Sequence, residues 1–313
     1  MFPGFDFPLS SSVMNHQLLK EVSRSFYLSL RFLPPGFREA AGCGYLLARL
    51  SDTIADAGEA SVEERSGSLW VFRQVLAGLE EVRTLDRTLR ASPALSRGFS
   101  EGERVLVERV EEVFVFLETL SEERQAAVRR VVDLITEGQS WDLERFDRKE
   151  RVILSSDKEL QGYTYQVAGC VGEFWTELGL GLSPGSPEEF SRLSANEMMR
   201  LGRSYGQGLQ LINILRDLGE DLKIGRCYLP GGPTEEERGR WLERAREHLD
   251  DAEKYCKALR GRRLRFSSML PYRIGRDTLD LIEASPLEER VKVSRRRVSY
   301  QMRAAAQFAL WSD

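Results

Sequence analysis

The sequence predicts an all-α protein, and three observations carry that prediction. Apolar residues recur at three- and four-residue spacing along almost every segment, strand signals are scarce, and some helix starts carry explicit caps. No internal repeat, low-complexity tract or long linker divides the 313 residues. The chain therefore reads as one helical domain, 1–313, with residues 1–12 frayed.

Taken in order, Leu18, Leu19, Val22, Phe26, Leu30 and Leu33 line one face of a first helix, which Pro34 and Pro35 stop. A second helix is expected over Phe37 to Ala57, with Gly42 and Gly44 allowing close packing and Gly58 as its end. Further helices are expected near 61–80, 101–119, 121–137, 157–181, 187–222, 234–259, 263–284 and 294–311. Ser186-Pro187-Glu188-Glu189 reads as a cap, a proline at the first helical position and acids against the dipole. Thr234 followed by three glutamates gives a similar start.

Composition narrows the function. A net charge of −4 supplies no global field for nucleic acid, leaving local basic patches at Lys257–Arg265 and Arg290–Arg297. Such patches would attract phosphates or anionic lipids beside a substrate mouth, or are simply solvated faces. Four separated cysteines and two histidines fit no common zinc spacing and suggest reduced thiols. With no apolar run of ~18 residues and no basic start followed by an apolar region, a cytoplasmic protein touching a membrane at most from outside is expected.

Chemistry is suggested by two Asp-x-x-x-Asp pairs, Asp52/Asp56 and Asp217/Asp221, each inside an apolar helical stretch. Spacing of four puts both carboxylates on one helix face, where like charges cost ~0.2–0.5 kcal/mol even when exposed. A hard divalent cation such as Mg²⁺ offsets that repulsion and bridges to a diphosphate. Asn213 extends the second stripe by one turn. The competing account is that these are solvated faces, with Arg49 and Arg216 pairing with the acids of their own helices rather than with phosphate. Ser23-Arg24-Ser25-Phe26 likewise suits either phosphate or a helix cap. Gly202-Arg203-Ser204-Tyr205-Gly206 matches a hydrolase nucleophile pattern, but no strand precedes it and His248 sits in a charged helix. Its glycines more simply admit a neighbouring helix or a long substrate.

Together these segments resemble the squalene/phytoene synthase family, whose members join two isoprenoid diphosphates head to head. The resemblance runs from about Ser23 to Val298. Ser23–Phe26 looks like the family's phosphate-contacting block, and Tyr45 to Asp56 like its first aspartate-rich motif. Tyr163-Thr-Tyr-Gln-Val-Ala-Gly-Cys-Val-Gly172 looks like its tyrosine motif. Gln210 to Asp221, with Gly225-Arg-Cys-Tyr-Leu-Pro230, looks like its second aspartate-rich motif and tail.

The resemblance implies an isoprenoid-synthase bundle around a central apolar channel. It implies Mg²⁺ held by Asp52, Asp56, Asp217 and Asp221 with Asn213, and an isoprenoid diphosphate held by Ser23, Arg24, Ser25, Phe26, Arg49, Gln210 and Arg216. Asp52, Asp217 and Tyr163 are the expected catalytic residues, although a core role with a bonded hydroxyl remains open for Tyr163. The block Arg290 to Val298 resembles a squalene-synthase segment associated with NADPH, departing at Ser294 where that segment has Arg. Lys292 and Arg295 are the expected nucleotide contacts, and a helical arrangement would put Lys292 and Arg296 on one face. The resulting expectation is condensation of two farnesyl diphosphates through presqualene diphosphate to squalene. A phytoene, dehydrosqualene or hydroxysqualene synthase is the alternative within the family, and a non-catalytic helical binding protein is the alternative outside it.

Overall fold

The computed structural model describes residues 30–146, 151–182 and 186–311. Ser23, Arg24, Ser25 and Phe26, with residues 1–12, lie outside the described residues.

The Pro34-Pro35-Gly36 turn ends in a left-handed glycine, φ 82°, whose N–H donates to the Glu39 carboxylate at the start of α1 (Phe37–Ala55). Then follow α2 (Val62–Leu76), α3 (Val82–Ala91), the short α4 (Pro93–Ser96), α5 (Glu101–Glu108), α6 (Val110–Glu118) and α7 (Glu122–Phe146). Ser61 and Ser100 form reciprocal capping boxes with Glu64 and Glu103. The second half holds β1 (Val152–Ile153), α8 (Asp157–Thr164), α9 (Cys170–Leu180), α10 (Ala195–Lys223), β2 (Arg226–Cys227), α11 (Glu235–Ala258), α12 (Arg262–Ala284) and α13 (Arg295–Trp311). One continuous apolar core runs from Leu30 to Ala305.

Several expectations change on folding. The single helix expected over 101–119 breaks at Arg109, and the helix at 121–137 continues to Phe146. Sequence reading missed α3 and α4; α3 buries only Leu85 and Leu89 in an otherwise polar stretch. The helix expected at 157–181 is interrupted by a π-helical turn, Tyr165–Gly169. The helix expected at 187 is one 3₁₀ turn, Pro187–Glu189, and α10 starts only at Ala195 under a Ser194 cap. The intervening backbone is committed elsewhere. Arg192 N–H donates to Ala258 O at 2.9 Å and Arg260 N–H to Phe190 O at 2.7 Å. Thr234 caps α11 as expected.

α10 is the axis of the second half, packed against α9, α11 and α12. Glycines set its distance from α9, because a Cβ on Gly172 would stand 1.8 Å from Gly202 O and one on Gly206 2.0 Å from Ala168 O. The Gly202–Gly206 stretch thus admits a neighbouring helix. Ser204 does meet a histidine, its Oγ 2.8 Å from His248 Nδ1 and 3.0 Å from Asp251 Oδ2. Yet it lies mid-helix and nearly buried, and the acid contacts the serine itself, so no nucleophile elbow exists.

Candidate active site

Two acidic stripes converge on one arginine and one aspartate, Arg226 and Asp142, which act on Asp56 of the first and Asp221 of the second. Arg49 and Asp52 project from α1, Asp56 caps its C-terminus, and Gln210, Asn213, Arg216, Asp217 and Asp221 belong to α10. Between them lies a clamp that sequence reading left without a role. Arg226 Nη1 donates to Asp142 Oδ2 at 3.0 Å, and Tyr228 OH to Asp142 Oδ1 at 2.6 Å. The parallel pairing of β1 with β2 positions it. Val152 N–H donates to Gly225 O at 2.8 Å and Leu154 N–H to Cys227 O at 3.0 Å, fixing the chain after α10 against the chain after α7. Arg226 attracts Asp56, Asp142 and Asp221 alike, while Asp142 repels both Asp56 and Asp221.

The carboxylates carry more negative charge than their surroundings neutralise. Burial, with repulsion from Asp56, raises Asp52 to about 6, although Asp52 keeps 40% of its side-chain surface exposed. Crowding by low-dielectric protein together with the like charge raises it, without full burial. Asp56 is raised by burial against the pull of Arg226. Asp221 is raised to about 7 by burial, with Asp217 and Asp142 adding to it and Arg226 opposing. Asp217 differs. Burial works against its charge, but the hydrogen bonds and charge of Arg216 and Arg290 hold it below the usual carboxylate range.

Both motif arginines pair with acids. Arg49 bonds Asp52 and reaches Glu103 on α5 at 2.6 Å, and Arg216 Nε bonds Asp217 Oδ1 at 3.0 Å. Arg290 Nε reaches the same Asp217 oxygen at 2.7 Å. Close packing brings Arg290 there, since a Cβ on Gly219 would stand 2.2 Å from Glu288 O. Asn213 is exposed and its amide donates to Gln210 at 3.4 Å. Among the described residues, no three His, Cys, Asp or Glu side chains form a ready-made cation cage. The donor set still fits Mg²⁺, which is typically held by one or two carboxylates with substrate phosphates and water completing its shell.

An aromatic wall adjoins the acids. The Tyr163 ring stacks on Tyr228 at 5.2 Å and 17°, with Trp141 at 5.6 Å from Tyr163. Phe146 lies 4.8 Å from Tyr228 and 5.8 Å below the Arg226 guanidinium. Burial, reinforced by Asp142, pushes the Tyr163 hydroxyl well above the ordinary phenol range, so it stays protonated. Both accounts of Tyr163 therefore meet in one place, a packed aromatic whose hydroxyl lies beside Asp142 and Tyr228. The π-helical turn directly after α8 shifts the register between Tyr163 and α9.

The basic block expected to bind a nucleotide is arranged differently from its sequence-based reading. Helix α13 starts at Arg295, and Ser294 Oγ accepts the Arg297 N–H at 3.2 Å, so the departing residue is a helix cap. Lys292 precedes the helix and does not share a face with Arg296. Lys292 and Arg295 are exposed, while Arg297 is bound by Asp277 at 2.7 Å. Of the functional neighbourhood, Asp142, Arg226, Tyr228, Trp141, Glu103 and Arg290 escaped sequence reading. Only Arg226, Tyr228 and Arg290 stood inside a segment already singled out.

Known proteins resemble this chain in sequence and in fold. The chain is 32% identical over 213 residues to the presqualene diphosphate synthase of Zymomonas mobilis, covering 68% of this chain and 58% of that protein. It is 27% identical over 293 residues to the 15-cis-phytoene synthase of Synechocystis sp., covering 86% of this chain and 75% of that one. A dehydrosqualene synthase crystal structure superposes with a TM-score of 0.61 at 20% identity, covering 95% of this chain and 96% of the other, which establishes the shared isoprenoid-synthase fold. The sequence profile of squalene/phytoene synthase matches residues 19–239, a span holding both acidic stripes, the tyrosine turn and the Arg226 clamp, and the chain belongs to the squalene/phytoene synthase family.

Proposed function

We propose that the protein condenses two farnesyl diphosphates head to head to presqualene diphosphate and, given NADPH, carries the product on to squalene. The observation that carries this reading is the pair of acidic stripes facing Arg226 and Asp142, with Asp52, Asp56 and Asp221 incompletely neutralised beside the Tyr163 wall. Mg²⁺ held by Asp52, Asp56, Asp217 and Asp221, with Asn213, would supply the positive charge that the departing diphosphate requires. Arg49 and Arg216 exchange their carboxylate partners for phosphate oxygens, for which a planar guanidinium is equally suited. The faces of Tyr163, Tyr228 and Trp141 stabilise the allylic cation that ionisation leaves, and their packing keeps water from it. Tyr163, protonated at all working pH values, donates or relays a proton beside the reacting carbons. Arg226 opposes the burial that raises the Asp142 carboxyl, and Asp142 fixes Tyr228 under Tyr163.

Lys292 and Arg295 remain the candidates for NADPH phosphates, as exposed cations without an ion pair among the described residues. The likeness to a presqualene diphosphate synthase favours a second reading, in which the reaction stops at that intermediate. The continuous core supports treating the chain as one domain.

Incubation with farnesyl diphosphate, with and without Mg²⁺ and NADPH, followed by product identification, tests both readings. Squalene formed only with NADPH, and a higher NADPH requirement in Lys292→Ala/Arg295→Ala with normal condensation, supports the reductive route. Presqualene diphosphate as the end product with Mg²⁺, whether or not NADPH is present, supports the second reading. No consumption of any prenyl diphosphate overturns the proposal.

A further inference from the structure

A second feature lies at the opposite end of the bundle. At 1.5 Å per residue, the first turn of α10 stands ~33 Å from Asp217. There a cavity of about 420 Å³ opens among Pro34, Leu182, Phe190 and Leu264, rimmed by Arg260, Arg262 and Arg263. The walls are apolar and Glu189 is the one acid lining them.

The local charge contrasts with that of the whole chain, which is net negative. Neighbouring cations have partners within the fold. Lys257 pairs with Glu253 at 3.0 Å, Lys254 with Asp251 at 3.1 Å, and buried Arg265 donates to Leu259 O at 2.8 Å. Arg260, Arg262 and Arg263 are exposed and make no ion pair among the described residues. Arg262 and Arg263 also occupy the first turn of α12, where the helix dipole disfavours cations.

Exposed apolar groups flank them. Phe32 is 45% exposed, braced edge-on at 5.0 Å by Phe266, and Leu193 is 41% exposed. Unpaired guanidiniums, protruding apolar side chains and an apolar recess match the order of groups met at a bilayer surface, phosphate first and hydrocarbon beneath. We propose that this end of the bundle is a docking surface for an anionic phospholipid bilayer, with Arg260, Arg262 and Arg263 on headgroup phosphates and Phe32 and Leu193 in the interface. The acidic stripes then lie at the far end from the anionic surface, which would otherwise repel them. The inference stands independently of the reaction proposed above.

Co-sedimentation of the full chain with phosphatidylcholine vesicles, with and without phosphatidylglycerol, tests it. The protein should pellet with the anionic vesicles and be released as salt rises. Arg260→Gln/Arg262→Gln/Arg263→Gln should lower the partition coefficient about 100-fold, equivalent to ~3 kcal/mol at ~1.4 kcal/mol per tenfold. Phe32→Ser/Leu193→Ser should weaken binding with the salt dependence retained. Arg83→Gln/Arg87→Gln, on exposed α3, should bind as the parent does. Circular dichroism and melting of each variant confirm that it is folded. Failure of the parent to bind anionic vesicles, parental binding by the triple variant, or equal loss in the α3 variant would each overturn the proposal.

Discussion

Replacing Asp221 by asparagine should make the ligand-free protein more stable at alkaline pH while removing its activity. The folded structure raises this carboxyl from 3.8 to about 7, mainly by burial and then by Asp217 and Asp142. A carboxyl whose folded pKa is raised contributes stability that is complete below pH ~4 and is lost as pH climbs through ~7. At ~1.4 kcal/mol per pH unit, the full difference bounds the cost of ionised Asp221 at ~4 kcal/mol. The side chain is only half-buried, and solvent screening reduces this to ~2 kcal/mol. With an unfolding entropy near 2.1 cal/mol/K per residue, 2 kcal/mol moves the Tm of a chain this long by ~3 °C. Thermal melts of parent and Asp221→Asn at pH 5 and pH 8.5, in chelator, measure it. The variant should melt higher at pH 8.5, and the gap should narrow at pH 5 and close only near pH 4. Added Mg²⁺ should raise the Tm of the parent at pH 8.5 and leave the variant almost unmoved. A parent whose Tm is flat across this range, or a variant less stable at pH 8.5, refutes the reasoning that the acidic stripes hold unneutralised charge.

Other outcomes follow from the same geometry. Asp52→Asn and Asp217→Asn should each keep the helical circular dichroism of the parent and lose at least ~100-fold in turnover, measured with farnesyl diphosphate at saturating Mg²⁺. Tyr163→Phe keeps the ring that stacks on Tyr228 and removes the hydroxyl. Its kcat should fall ~100-fold with KM little changed, and a variant altered only in melting temperature would make Tyr163 a core residue. Gly172→Ala places a methyl 1.8 Å from Gly202 O, backbone that cannot move aside, and should cost at least ~3 kcal/mol in a urea titration.

The helices that carry the two acidic stripes were legible because their pattern is local. Asp52/Asp56 and Asp217/Asp221 repeat at the helical period within apolar stretches, and one-dimensional spacing is enough to place each pair on one face. Asp142 was not legible, since a lone acid in a long charged helix has no signature until Arg226 and Tyr228 arrive from the far end of α10. Those two entered only as part of a motif's tail, because the two-residue strand that delivers them is too short to show a period. The false start at Ser186-Pro187 has the opposite cause. The capping signature is real, but pairing of residues 190–192 with 258–260 takes the backbone groups that a helix would have used. The break within 157–181 lies where Gly206 of α10 meets Ala168 O, a contact between distant segments that neither one encodes.

The short parallel pair at Val152–Ile153 and Arg226–Cys227 also bears on how the protein folds. It joins chain positions more than seventy residues apart, and two rungs cannot offset the entropy of closing so long a loop by themselves. Pairing of the strands should therefore follow the docking of α8, α9 and α10, with Arg226 reaching Asp142 late in folding. The amide protons of Val152 and Leu154, bonded to Gly225 O and Cys227 O, are thus natural reporters of that step. In native-state hydrogen exchange they should open below the global unfolding free energy, separating a folded bundle without its clamp from one in which the clamp is complete.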